Sequence, residues 1–322
     1  METKMIISVL VSFAISVILC PVVIPFLKRL KFGQFVREEG PKEHLKKSGT
    51  PTMGGIIILS SVVITSVLFI PEYRNIIPIL FMTLGFGLIG FLDDYIKVVM
   101  KRSLGLRAWQ KLALQFIVTG IFAYYLLNYT DVGTGMLIPF TGGFEDGLYL
   151  EIGILYVPML FFAVLGTVNG ANFTDGLDGL ASGVTVIIAV FFTVISIVSG
   201  SGIEPITGAV VGALLGFLLF NVYPARVFMG DTGSLALGGF VASAAYMMNM
   251  PIFILIVAFI YLVEVLSVII QVSYFKATKG KRIFKMAPIH HHFELSGWKE
   301  NKVVSVFTII TMIASVIGIL AI

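Results

Sequence analysis

Two adjacent aspartates, Asp93 and Asp94, close an apolar run in the stretch LIGFLDDYIKVV. Neighbouring carboxylates can bind a hard cation or, when one charge raises the pKa of the other, act as a base. The plainer use is helix-end solvation with a partner at Lys97 one turn on, although acids at a helix C-terminus oppose the macrodipole. NFTDGLDG sets Asn172, Asp175 and Asp178 three residues apart. They share a face if helical, and Gly176 and Gly179 allow the needed turns if not; Asp178 also suits a helix N-cap. In FMGDTGS, Asp231 stands between glycines, where it or Thr232 or Ser234 is suited to cap a helix. Glycines also let a backbone approach a phosphate, and a helix start attracts anions. A carboxylate beside a phosphate calls for a metal between them, which makes Asp231 a candidate Mg²⁺ ligand.

PIHHHFE carries His290, His291 and His292. Their imidazoles suit donation to phosphate oxygens or proton transfer near neutral pH. A zinc site and structural hydrogen bonding are the other two uses; three consecutive histidines cannot all aim at one ion. KKSGTPTMGG joins Lys47 to a turn, where a lysine serves either as a substrate contact or as a topology and headgroup signal. Glu264 lies within an apolar segment, where a charge costs at least about 2.5 kcal/mol. That cost marks it as functional or as a protonated group bonded between helices, with no specific role assigned.

The elements that carry these residues are set by composition. The 322 residues are 57% hydrophobic and 12% charged, with mean hydropathy +1.00. The charged share is about half that of soluble domains. Apolar runs of roughly 20 residues match the hydrocarbon thickness as helices and lack the alternation of a β-barrel. The fold class expected is an all-α polytopic membrane protein in a single domain over 1–322. Ten spans are expected: 5–27, 53–70, 76–99, 108–128, 152–171, 179–199, 206–222, 234–249, 251–275 and 302–322. The first is expected to be retained rather than cleaved, since no basic n-region precedes it. The lone Cys20 excludes an intrachain disulfide. GTGMLIPFTGGFEDG, between the fourth and fifth spans, suits a structural β-hairpin.

Lysine and arginine set the orientation. Of the 22, all but Lys4 and Arg74 fall in the loops that follow odd-numbered spans or within a few residues of them. By the positive-inside rule those loops are cytoplasmic and both termini are extracellular. Every chemically loaded stretch above lies on that cytoplasmic face, so all can converge on one cleft at the membrane boundary. A basic face of this kind also concentrates an anionic soluble substrate; no nucleic-acid partner is expected.

Five stretches, in this order, resemble the polyprenyl-phosphate N-acetylhexosamine-1-phosphate transferase superfamily: KFGQFVREEGPKEHLKKSGTPTMGG, GFLDDYIKV, NFTDGLDGLASG, FMGDTGSLALGG and GKRIFKMAPIHHHFELSGW. They span residues 31–298. The histidine run and TPTMGG resemble its phospho-N-acetylmuramoyl-pentapeptide-transferase branch. That resemblance implies transfer of phospho-MurNAc-pentapeptide from UDP-MurNAc-pentapeptide to the membrane lipid undecaprenyl phosphate, giving lipid I and UMP. It also implies a bacterial cytoplasmic membrane, ten helices of which the ninth is broken, Mg²⁺ dependence and a homodimer. By position, Asp231 resembles the Mg²⁺ ligand, and Asp93, with Asp94 beside it, the base that deprotonates the lipid phosphate. Asn172, Asp175, Gly176, Leu177 and Asp178 resemble the nucleotide site, and Phe228 an aromatic that stacks on uracil. Lys47, Asn221 and Gln271 match polar contacts, and His290 and His291 resemble groups near the diphosphate and sugar.

Three rivals differ in kind. A sister transferase making a GlcNAc-linked lipid shares the aspartates and differs at the histidine run. An intramembrane aspartyl protease wants Gly-x-Gly-Asp, whereas Phe228-Met229-Gly230 precedes Asp231 here. A transporter places ionisable groups near the midplane, often in repeats; this chain has a single such group, Glu264, and no evident repeat.

Overall fold

In lipid, backbone N–H and C=O groups must be satisfied within the segment, which makes helices the outcome for long apolar runs. The computed structural model describes residues 2–29, 47, 49–98, 100 and 105–322. The helices are α1 (Glu2–Arg29), α2 (Gly55–Val67), α3 (Ile76–Val98), α4 (Ala108–Tyr129), α5 (Tyr156–Thr174), α6 (Leu180–Ser199) and α7 (Glu204–Asn221). They continue with α8 (Gly230–Met247), α9 (Ile254–Val257), α10 (Phe259–Ala277), α11 (Ile289–Glu294) and α12 (Glu300–Leu320). Lys31, Arg37, Lys42, Lys46, Lys101 and Arg102, counted in the charge pattern, lie outside the described residues, as does most of the first family-like stretch.

Each of the ten expected segments coincides with a helix, the ninth with the pair α9 and α10. Among the described residues, eight helices are suited by length and composition to crossing a membrane: α1, α3, α4, α5, α6, α7, α10 and α12. α2 is only 13 residues long. α8 is rich in glycine and alanine and is buried from Thr232 to Met247. A helix covered on all sides by protein needs no lipid-compatible face, so its sequence serves close packing instead. The ninth segment breaks at Ala258 (φ −103°, ψ 31°), six residues before Glu264, which sits in unbroken α10.

α8 packs against α3 and α5, while α7 packs against α1 and α6. Small residues set these distances. A side chain at Gly90 of α3 would overlap the Asp231 carbonyl, and one at Gly55 of α2 would overlap Gly233. Gly212 takes the same role against the Val9 carbonyl of α1. Phe86, Phe217, Phe240, Tyr246 and Tyr261 fill the interior. Leu10, Ile18, Leu88, Ile117, Phe162, Val198 and Ile313 face outward, as suits hydrocarbon rather than water.

The expected hairpin forms between α4 and α5. Strand β1 (Met136–Leu137) pairs antiparallel with β2 (Tyr149–Leu150), with Met136 opposite Leu150. Phe140 N–H donates to the Ala321 carbonyl at 2.8 Å, and Leu137 N–H to that of Asn249 at 2.7 Å. α12 thus ends at the hairpin. Its other end, Glu300, holds Lys47 and Asp178, so its 21 residues separate the two ends of the molecule by roughly 30 Å.

Candidate active site

Asp231 lies in the first turn of α8, and three other helices supply its partners. Lys97 of α3 and Lys111 of α4 place their ammonium groups 3.0 and 2.9 Å from Oδ2. The Asn172 amide at the end of α5 donates to Oδ1 at 2.8 Å and to Ser234 Oγ at 2.9 Å. Lys97 also pairs with Asp93 one turn earlier, at 2.5 Å. The plain pairing expected of Asp93 is present, and the same lysine ties it to Asp231. Asp93 Oδ1 accepts the Leu106 N–H at 2.7 Å. Gly105 (φ +57°) makes that approach possible, because a β-carbon there would overlap the Asp93 carboxylate and an L side chain disfavours that backbone.

Asp94 does something different. It accepts the Thr232 N–H at 2.9 Å, the Thr232 hydroxyl at 2.7 Å and the Asp231 N–H at 3.3 Å. These are orphan donors of the first turn of α8, whose N-cap Met229 offers no side-chain bond. A carboxylate from α3 therefore caps the helix that presents Asp231, the work expected of Asp231, Thr232 or Ser234. Its position one turn beyond Gly90 follows from the close α3–α8 approach.

NFTDGLDG is helical only to Thr174, so its polar groups do not share one helical face. Asp175 follows the helix. Burial and the charges of Asp231 and Asp94 push its carboxyl well above the usual carboxylate range. Asp178 is buried and does not cap α6, whose N-cap is Gly179 (φ 78°). Its Oδ2 accepts the Ala225 N–H at 2.9 Å, and its Oδ1 lies 2.7 Å from Lys47 Nζ. Glu300 completes the group, 2.6 Å from Lys47 and accepting the Asp178 N–H at 2.7 Å. Desolvation lowers the pKa of Lys47, but the bonds to Asp178 and Glu300 outweigh it and raise the net value.

Phe228 is half-buried beside this group, its N–H donating to the Pro51 carbonyl at 2.8 Å and its carbonyl accepting from Gly54 at 2.8 Å. TPTMGG is thereby stitched to the segment that leads into α8. Leu177 is buried in the apolar core. The Asn221 amide is engaged within the protein, accepting from Ser182 and donating to the Val227 carbonyl. Gln271 likewise accepts the N–H groups of Ile283 and Phe284 and donates to the Phe284 carbonyl, each at 3.0 Å. Asn221 thus ties the loop that carries Phe228, and Gln271 the segment that follows α10. His290 is fully buried, with Nδ1 3.0 Å from Glu264 Oε1. His291 pairs with Glu294 at 2.8 Å, and its ring centre lies 4.1 Å from that of His290. His292 accepts the Lys285 N–H.

The structure thus brings Asp93, Asp94, Asn172, Asp175 and Asp231 together, with Lys47, Asp178 and Phe228 along the adjoining turn. Sequence reasoning passed over Lys97 and Lys111 as site groups, and Glu300 altogether. Lys111 carried a usable signal: it lies inside an expected span, where an ionisable residue is a functional candidate by default. Glu300 carried none.

A half-buried carboxylate neutralised by lysines at one end of a helical bundle, beside glycine-rich turns, is the equipment of a membrane enzyme that handles phosphates. Residues 76–249 match the family model of glycosyl transferase family 4. Residues 47–59 match phospho-N-acetylmuramoyl-pentapeptide-transferase signature 1. A phospho-N-acetylmuramoyl-pentapeptide-transferase of Acetivibrio thermocellus is 53% identical, over 97% of this chain and 93% of its own. One from Clostridium botulinum is 51% identical, over 98% and 95%, and one from Clostridioides difficile 48%, over 99% and 98%. The chain belongs to the phospho-N-acetylmuramoyl-pentapeptide-transferase family within glycosyl transferase family 4.

Proposed function

We infer that this chain transfers phospho-MurNAc-pentapeptide from UDP-MurNAc-pentapeptide to undecaprenyl phosphate, giving lipid I and UMP. Identity near 50% over almost the whole length of the relatives supports the reaction. The observation that carries the assignment to this site is the Asp93–Lys97–Asp231–Lys111–Asn172 cluster.

A lipid phosphate oxygen attacks the sugar-bearing phosphorus of the diphosphate. A new P–O bond forms there, the bond to the bridging oxygen breaks, and that oxygen leaves on UMP. Phosphoryl transfer of this kind asks for alignment and charge neutralisation more than covalent help. Asp93 is assigned to accept the proton of the lipid phosphate, with Lys97 holding its carboxylate in place. Asp94 holds the turn that presents Asp231. Lys97, Lys111 and Lys47 offset the repulsion between two anionic substrates. Phe228 is assigned to stack on the uracil, and the Asp175–Asp178 turn to the nucleotide. Attack is direct, without a phospho-aspartyl intermediate.

Among the described residues, no three His, Cys, Asp or Glu side chains form a cage for a metal. Oxygen donors from Asp231, backed by Asn172, nevertheless fit Mg²⁺, which commonly takes one or two carboxylates and completes its shell with waters and substrate phosphates. Bound there, Mg²⁺ would neutralise charge developing on the diphosphate oxygens. Because one substrate is a lipid and the other soluble, the site belongs at the cytoplasmic membrane boundary of a bacterial cell. A homodimer is the proposed assembly.

The test is UMP release by purified protein given UDP-MurNAc-pentapeptide and undecaprenyl phosphate, with and without Mg²⁺. Release that requires both substrates and the ion is expected. Release with UDP-GlcNAc but not with the muramoyl donor overturns the assignment.

A further inference from the structure

Glu264 on α10 and His290 on α11 are both fully buried, although a carboxylate inside a membrane helix is costly. Glu264 Oε1 lies 3.0 Å from His290 Nδ1; with the carboxylate ionised, that contact needs the imidazole proton on Nδ1, which leaves Nε2 as the acceptor nitrogen. Nε2 has no hydrogen-bond partner and is shut off from the surface. It lies against Gly176, where any β-carbon would overlap the ring. One imidazole therefore joins α10, α11 and the turn that carries Asp175 and Asp178. An apolar pair of the same size would pack here without this desolvation cost and without an orphaned nitrogen. The polar pair calls for an explanation beyond adhesion.

We propose that Glu264 is a positioning residue for the transfer: it fixes the ring and the tautomer of His290, which in turn braces the Gly176 turn of the nucleotide site. His290 acts from beneath that turn, with its acceptor nitrogen facing the backbone of Gly176. The proposal deepens the transferase reading and rests on it.

The test uses the full-length protein in lipid nanodiscs with ¹⁵N-labelled histidine. The chain has four histidines, and His290→Gln identifies the signal of His290. Wild-type protein should show His290 protonated on Nδ1 and bare on Nε2. Glu264→Leu should mix the two tautomers and lower kcat for UMP release by about 10- to 100-fold, the range for losing a group that orients an imidazole, with a smaller change in KM. Glu264→Gln keeps an accepting oxygen, so it should keep the tautomer and lose less. Wild-type His290 protonated on Nε2 overturns the proposal. So does a folded Glu264→Leu protein with unchanged kcat, or equal losses in the two variants. Should the leucine variant not fold, the glutamine variant decides: a switched tautomer with unaltered kcat overturns the proposal. If wild-type protein releases no UMP, the transferase reading fails, while the nitrogen spectra still decide the tautomer.

Discussion

Asp231 receives two ammonium groups and one amide, from three helices, on a single carboxylate. Asp231→Asn removes the charge those lysines neutralise while preserving shape. It should lower kcat by about 100-fold or more while the thermal midpoint shows the protein still folded; near-normal turnover would take Asp231 out of the reaction. Phe228→Ala should weaken donor binding by about 1–3 kcal/mol, the usual worth of a base stacked on an aromatic ring, and leave lipid binding unaltered in the same titration. Asp175 adds a pH dependence to stability. Its carboxyl is held well above the usual range by burial and by Asp231 and Asp94, so the fold favours its neutral form. Stability should fall as pH climbs from the ordinary carboxylate range through that raised value, then level off. Asp175→Asn should abolish this slope and raise the thermal midpoint at neutral pH; an unchanged pH profile of melting would contradict it.

At the scale of elements, the decisive contact is α3 against α8. Gly90 lets the two backbones close until Asp94 reaches the N–H groups at the start of α8. Gly90→Ala places a methyl on the Asp231 carbonyl, and overpacking of this kind costs about 1–3 kcal/mol. A lowered melting midpoint and a disproportionate loss of UMP release should accompany it, because the displaced turn carries Asp231. Unchanged melting and turnover would show that the helices can part at no cost. Much of this level was legible in the sequence. The apolar runs gave the helices, and the glycine-rich intervals the turns, including the hairpin at Met136–Leu150. The capping of α8 was not legible, since a side chain from another helix does the work.

For the whole molecule, α12 places Glu300 beside the site and Ala321 beside the hairpin. If the site faces the cytoplasm, Glu145 in the hairpin and Lys281 beyond α10 lie on opposite sides of the bilayer. In a Cys20→Ala background, Glu145→Cys should react with an impermeant thiol reagent in intact cells. Lys281→Cys should react only after the membrane is opened. Labelling of both from one side would refute the arrangement.

The sequence by itself determined that the chain is a helical membrane protein and that its polar motifs stand at or near the ends of its apolar segments. It also singled out Asp93, Asn172 and Asp231, which the structure brings together. Hydropathy, charge asymmetry and motif order are local properties, readable one segment at a time. Tertiary structure decided the division of labour: Asp93 to Lys97, Asp94 to the start of α8, Lys111 to Asp231, Glu300 to Lys47, Glu264 to His290. Each of these pairs after the first joins residues more than 20 positions apart. Which carboxylate meets which cation is fixed only when helices pack at distances their glycines allow, and no single segment carries that information.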